Sequence, residues 1–280
     1  MNTAAEAVAL AVPRARRPSH PGTLAALARR RFTLTARTPR ELVVPLLTPI
    51  LFALVIAPAL KTALHTSASY ESYVAIGTVG LLVPLNTLFL GLGVIVDRVD
   101  GAQRELLAAP VPRALLVLAN LVVALAITAL QIGTLIAVAV ARRIHFHPHG
   151  VGPLWFVGAT ALLTIAMYGV AETLASRIPR QEEYIARVPA IAIAPWFLAG
   201  SLFSIAAMPV GLTWVARFMP LTHALALMRY GLLNDPTGLH SIWRMGGTTG
   251  AAALSLGVVA LFAALTTVMA VRVFARSATR

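Results

Sequence analysis

Cysteine is absent from the 280 residues, and Lys61 is the only lysine. Without cysteine there is no disulfide, no thiolate nucleophile and no cysteine-ligated metal. Lys61 lies in Val55-Ile56-Ala57-Pro58-Ala59-Leu60-Lys61-Thr62, with no glycine before it. The chain therefore has no Gly-x-x-x-x-Gly-Lys-Ser/Thr loop to cradle nucleotide phosphates. If nucleotide energy drives this protein, another chain supplies it. Charge is scarce as well, at 12% of residues, where a soluble domain has about a quarter. Acids are the scarcest, and Glu172 is the one that adjoins the interior of a long apolar run. A proton-coupled carrier would need several such acids within its spans.

Apolar residues fill this gap. They make up 58% of the chain, and mean hydropathy is +0.81. The net charge of +13 does not indicate nucleic-acid binding, because the sequence has no soluble domain to carry it. Six apolar runs stand at about 42–60, 73–96, 114–141, 151–171, 188–208 and 247–271. Each is near the roughly 20 residues that cross a bilayer as a helix. Lipid enforces the helix, since every backbone amide must be satisfied internally. The expected fold class is all-α, a polytopic membrane protein, with residues 1–21 a disordered tail and 22–280 a single transmembrane domain. Pro45, Pro49 and Pro58 interrupt the first run. Arginines orient the set: the tail before Leu42, two alternate loops and the C-terminus hold seventeen, against six basic residues on the other side. Basic residues accumulate on the cytoplasmic side, so both termini are expected there.

Three connecting segments have character of their own. Residues 22–40 place Leu24, Leu27, Ala28, Phe32 and Leu34 toward one side of a helix with arginines elsewhere, as a helix lying in the headgroup layer would. The loop Asp97-Arg98-Val99-Asp100-Gly101-Ala102-Gln103-Arg104-Glu105-Leu106-Leu107-Ala108-Ala109-Pro110-Val111-Pro112-Arg113 is bounded by Gly101 and by Pro110 and Pro112. It predicts a short charged helix on the cytoplasmic surface, suited to docking a cytosolic partner. Between the fifth and sixth runs, the uncharged stretch 218–228 is too short to span. A re-entrant or interfacial helical hairpin fits it.

Here the chain resembles the permease subunits of type-2 ABC exporters, the daunorubicin-resistance type in particular, over nearly its whole length from about residue 25. The first motif is Asp97-Arg98 with Gly101, Arg104, Glu105-Leu106-Leu107 and Pro110-Val111-Pro112-Arg113, similar to the family's ATPase-coupling segment. The second is Pro220-Leu221-Thr222-His223 with Arg229, similar to the segment before the last span. Ala109 stands where threonine is usual and Met219 where asparagine is usual. The resemblance implies six helices per half, an interfacial N-terminal helix and a dimer with a second permease chain, identical or not. It also implies ABC ATPase subunits at the cytoplasmic loops, binding ATP and Mg, with no cofactor on this chain. The implied activity is outward movement of an amphipathic drug, antibiotic or lipid-like compound across a bacterial plasma membrane. Polysaccharide export is the alternative within the family. The second and fifth spans resemble those that line the path between permeases, which makes Asn86, Phe89, Phe197 and Phe203 substrate-path candidates.

Other polar groups offer competing readings. Glu182-Glu183-Tyr184-Ile185-Ala186-Arg187 matches the first motif of CAAX-type intramembrane proteases. The Phe-x-x-x-His partner motif is missing, because Phe218 and His223 are one residue too far apart. A motif without its context is weak evidence. His145, His147 and His149 alternate near Arg142 and Arg143, as in a polar interfacial turn, and no metal site is expected there. The arginine asymmetry yields a direct test on this cysteine-free background. A cysteine replacing Gln103 should resist an impermeant maleimide applied from outside; labelling from outside would reverse the orientation.

Overall fold

The computed structural model describes residues 20–37, 46–47, 50–56, 58–59, 62, 68–109 and 111–277. Lys61, Pro110 and, within the first expected span, residues 42–45, 48–49, 57 and 60 lie outside them. The described residues are helical, with no strand. In chain order the helices are α1 (His20–Arg37), α2 (Ala68–Leu90), α3 (Leu92–Val99), α4 (Ala102–Ala108) and α5 (Arg113–Ala141). They continue as α6 (Gly152–Arg177), α7 (Gln181–Leu198), α8 (Val210–Phe218), α9 (Pro220–Leu233), α10 (Thr237–Trp243) and α11 (Thr248–Ser277). A short π-helical turn, Phe52–Ile56, precedes α2.

Four stretches are long and apolar enough to cross a membrane: Tyr70–Val99, Arg113–Ala141, Gly152–Arg177 and Thr248–Arg276. They cover the expected second, third, fourth and sixth spans. The expected fifth span, 188–208, is placed differently. The helix starts at Gln181, where Glu182 and Glu183 complement the positive helix N-terminus. It ends at Leu198, because Gly200 turns into the left-handed region at φ 79°. Residues 199–208 are a turn and a 3₁₀ segment, Ile205–Ala207. Beyond them α8 and α9 meet at 83°. Met219 is extended there (ψ 124°), as the residue before a proline favours, and Pro220 opens α9.

The helix α6 is the central post, packing most extensively on α11 and then on α9. Its contact with α9 depends on two glycines. A Cβ on Gly152 would strike the carbonyl oxygen of Gly231, and a Cβ on Gly231 would strike that of Gly152. Small residues let helices approach this closely in lipid, where dispersion contacts replace the hydrophobic drive. The break between α2 and α3 is also filled. Tyr184 of α7 inserts beside Gly91, and its hydroxyl donates to the Leu88 carbonyl at 2.6 Å.

The obstacle at Gly231 is backbone, which cannot swing aside as a flexible side chain could. Gly231→Val should therefore destabilise the bundle by about 2 kcal/mol, the scale of overpacking, measured as a lower SDS midpoint of unfolding. An unchanged midpoint would show that the helices separate freely here.

Candidate functional site

Two polar constellations stand out, one at each end of the bundle. At the end carrying α1, Arg31 leaves its own helix and enters a slot over Gly93. There its Nη1 lies 3.2 Å from Asp97 Oδ2, with both side chains largely shielded. A Cβ on Gly93 would occupy the position of the Arg31 guanidinium. The next residue after that acid, Arg98, donates to the carbonyls of Ala175 (3.0 Å) and Ile178 (2.7 Å), closing the C-terminal end of α6. Arg113 donates to Ala275 O at 2.7 Å and does the same for α11. Helix C-termini leave carbonyls without partners and carry partial negative charge. Two arginines that bracket one loop thus close the ends of two long helices.

Within that frame, Gly101 turns left-handed at φ 81° and starts α4. Leu106 and Leu107 are half-buried with Leu27 of α1 against a cluster that includes Leu116, Tyr168 and Phe274. Arg104 and Glu105 are the charged residues of the helix; Arg104 is exposed and Glu105 lies beside it. The motif therefore divides: Asp97, Arg98 and Arg113 hold the scaffold, Gly101 turns the chain, Leu106 and Leu107 anchor the helix, and Arg104 with Glu105 form its charged face.

At the opposite end, Arg229 is buried, donating from Nη1 to Gly200 O (2.9 Å) and from Nη2 to Ser201 O (2.8 Å), with its guanidinium 3.4 Å from the Tyr73 ring centroid. Tyr73 Oη adds a third bond to the same turn, donating to Gly200 O at 3.0 Å. Gly77 allows Ser201 to lie against α2, and Trp196 Nε1 donates to Gly77 O at 2.7 Å. His223 bridges Arg217 O (2.8 Å) and Ser255 Oγ (3.2 Å), joining α8 to α11. Leu221 is in the core, and Thr222 is buried beside it.

A family model, ABC-2 type transporter, matches residues 23–233, a stretch that includes Arg31, Asp97, Arg98, Arg113, His223 and Arg229. The chain belongs to the ABC-2 type transporter family. No curated protein matches it. It is a multi-pass membrane protein and the permease component of an ABC transporter, a family that works with an ABC ATPase subunit. The protease alternative is not favoured: Glu183 is paired with Arg187 one helical turn away, and His223 is occupied as described.

The substrate-path candidates of this permease occupy different settings. Asn86 Nδ2 donates to Gln131 Oε1 of α5 at 3.0 Å, an interhelical bond of the kind polar residues form in lipid. Phe89, Phe197 and Phe203 are exposed. Glu172 is buried, with Tyr168 Oη donating to Oε2 at 2.6 Å and Oε1 without a hydrogen-bond partner.

Sequence reasoning misses Arg31, Gly93, Tyr73 and Tyr184. Arg31 sits in a run of three arginines with nothing to distinguish it. Gly93 does leave a signal, as a glycine one helical turn before the motif's acid in an apolar run. Gly93→Leu should expel Arg31 and weaken its bond to Asp97. In a double-mutant cycle, Arg31→Ala and Asp97→Ala should couple by about 1 kcal/mol in the wild-type background, and lose that coupling in the Gly93→Leu background. Equal coupling in both backgrounds would refute the slot.

Proposed function

We propose that this chain is the permease half of an ATP-driven exporter that moves an amphipathic drug, antibiotic or lipid-like compound out of a bacterial cell. The observation that carries the proposal is α4. It is a short helix anchored by Leu106 and Leu107 on the body of the protein, with Arg104 and Glu105 on its charged face. A rigidly mounted face of this size suits the groove of a separate ATPase subunit, which would bring ATP and Mg. The missing phosphate loop agrees with this division of labour.

In this reading both termini, α4 and the α6–α7 connection are cytoplasmic, as the arginine distribution favours. The chain has six spans: the four long stretches, α7, and the first apolar run. The α8–α9 pair is a re-entrant hairpin in the outer leaflet, supported by its 83° bend and by the exposed Trp214, Val215 and Phe218 of α8. A second permease chain completes the transporter. The exposed aromatics Phe89, Phe197 and Phe203 face the space between the two chains, where mostly apolar walls suit an amphipathic ring compound.

Isolation of the tagged chain from its native membranes should co-purify an ATP-hydrolysing subunit. Glu105→Lys should strip that subunit and abolish efflux while insertion stays normal. Efflux and co-purification equal to wild type in Glu105→Lys would reject the role of α4. Absence of any ATPase in the wild-type isolate would reject the exporter itself.

A further inference from the structure

The membrane-length stretch Tyr70–Val99 is two helices, α2 and α3, joined at Gly91. The Gly91 amide donates to Leu88 O at 3.0 Å, and the Val94 amide donates to Gly91 O at 3.1 Å. Both bonds reach back three residues instead of four, and Gly91 has the matching dihedrals, φ −62° and ψ −21°. A tightened turn of this kind inside a long helix often marks a hinge. A side chain from another helix occupies it. Tyr184 of α7, only 1% exposed, donates its hydroxyl to Leu88 O at 2.6 Å and lies 3.5 Å from Ala171 O of α6. Its ring sits in the cluster of Leu88, Val94, Ala171 and Val188. A Cβ on Gly91 would strike the Tyr184 hydroxyl. The glycine, the tightened turn and the tyrosine form one joint, where α2, α3, α6 and α7 meet.

What lies on each side gives the joint a role. Toward α1, Arg98 ties the end of α3 to the carbonyls of Ala175 and Ile178, and α4 follows through Gly101. On the other side, α2 carries Asn86 and Phe89. Its start is held by Tyr73, bonded to Gly200 O, and by Gly77, whose carbonyl accepts from Trp196. Each arm is anchored at its far end, and the joint is where one arm can turn against the other. We propose that Tyr184 is a positioning residue for export: its hydroxyl latches the joint, so that movement of α4 reaches Asn86 and Phe89 through α3 and α2 as one rigid lever. With the latch open, α3 swings while α2 stays on its anchors, as hinges absorb large changes at a few residues. The role in export rests on the exporter reading, whereas the latch rests on the geometry of the joint alone.

Tyr184→Phe isolates the hydroxyl. Phenylalanine keeps the ring in its cluster, and Leu88 O keeps its bond from the Gly91 amide, so the variant should fold. The chain has no cysteine, so Leu81→Cys and Val99→Cys place one nitroxide on each arm. Their separation, measured by double electron–electron resonance on the full chain in detergent, reports the angle of the joint. With tyrosine at 184 it should be one narrow distance; with phenylalanine a second distance should appear. Gly91→Ala, whose Cβ displaces the hydroxyl, should produce that second distance as well. An unchanged narrow distance in Tyr184→Phe overturns the latch. A second measurement tests transmission. With bimane attached through Phe89→Cys and the native ATPase subunit bound, ATP should shift the bimane emission. In the Tyr184→Phe background the shift should be lost while the ATPase still co-purifies, an outcome that a merely structural tyrosine would not give. No shift with tyrosine present, or an equal shift in both backgrounds, overturns the positioning role. Absence of any co-purifying ATPase rejects the exporter reading and leaves the distance measurement to decide on the latch.

Discussion

A guanidinium removed from water must find acceptors or unfold its surroundings, and Arg229 finds its acceptors in the backbone. Gly200 and Ser201 have carbonyls to offer because α7 stops at Leu198, and the stop leaves those groups without helical partners. The arginine and the broken helix thus solve each other's problem. Either alone would be an uncompensated polar group in an apolar setting, at about 1–3 kcal/mol or more for each. Around this pair the rest of the end assembles: Tyr73 lies under the guanidinium and shares its acceptor, and Gly77 brings α2 close enough to receive the turn. The bent geometry of α8 and α9 is tied to it, since α9 carries the arginine and cannot tilt away.

The α1 end uses the same device with different helices. Arg98 and Arg113 close the carbonyl ends of α6 and α11, and Arg31 reaches over Gly93 to Asp97. Each long side chain spans a gap between neighbouring elements, and each is matched to acceptors fixed by the fold. The consequence for function is stiffness. If α4 docks the ATPase as proposed, it transmits force only if its base does not yield, and it is flanked by Arg98 before it and Arg113 after it, both bonded across to other helices.

Sequence reading reaches the parts of this arrangement that leave a local trace. The apolar runs, the helix at α1 and the short helix after Gly101 all follow from composition, periodicity and breakers. The limits of α7 do not. Hydropathy marks a run at 188–208, whereas Glu182 and Glu183 extend the helix backward through favourable placement at its N-terminus, and Gly200 ends it early. Hydropathy is blind to both effects. Partner choice is equally invisible: which of Arg29, Arg30 and Arg31 turns inward is decided by a glycine and an acid more than sixty residues away. Asn86 shows the converse, since its position on the second span is legible but its bond to Gln131 is not.

Architecture and selectivity rest on different groups in this chain. Arg98, Arg113, His223 and Arg229 all direct donors or ring nitrogens to backbone carbonyls, and a carbonyl is the same whatever side chain accompanies it. Residues that recognise backbone can hold a fold together without constraining what passes through it. The family match identifies the permease and says nothing of cargo. Cargo must be read from side chains that the scaffold does not consume. Phe89, Phe197 and Phe203 are exposed along the body, and in the proposed reading they are the ones that meet it.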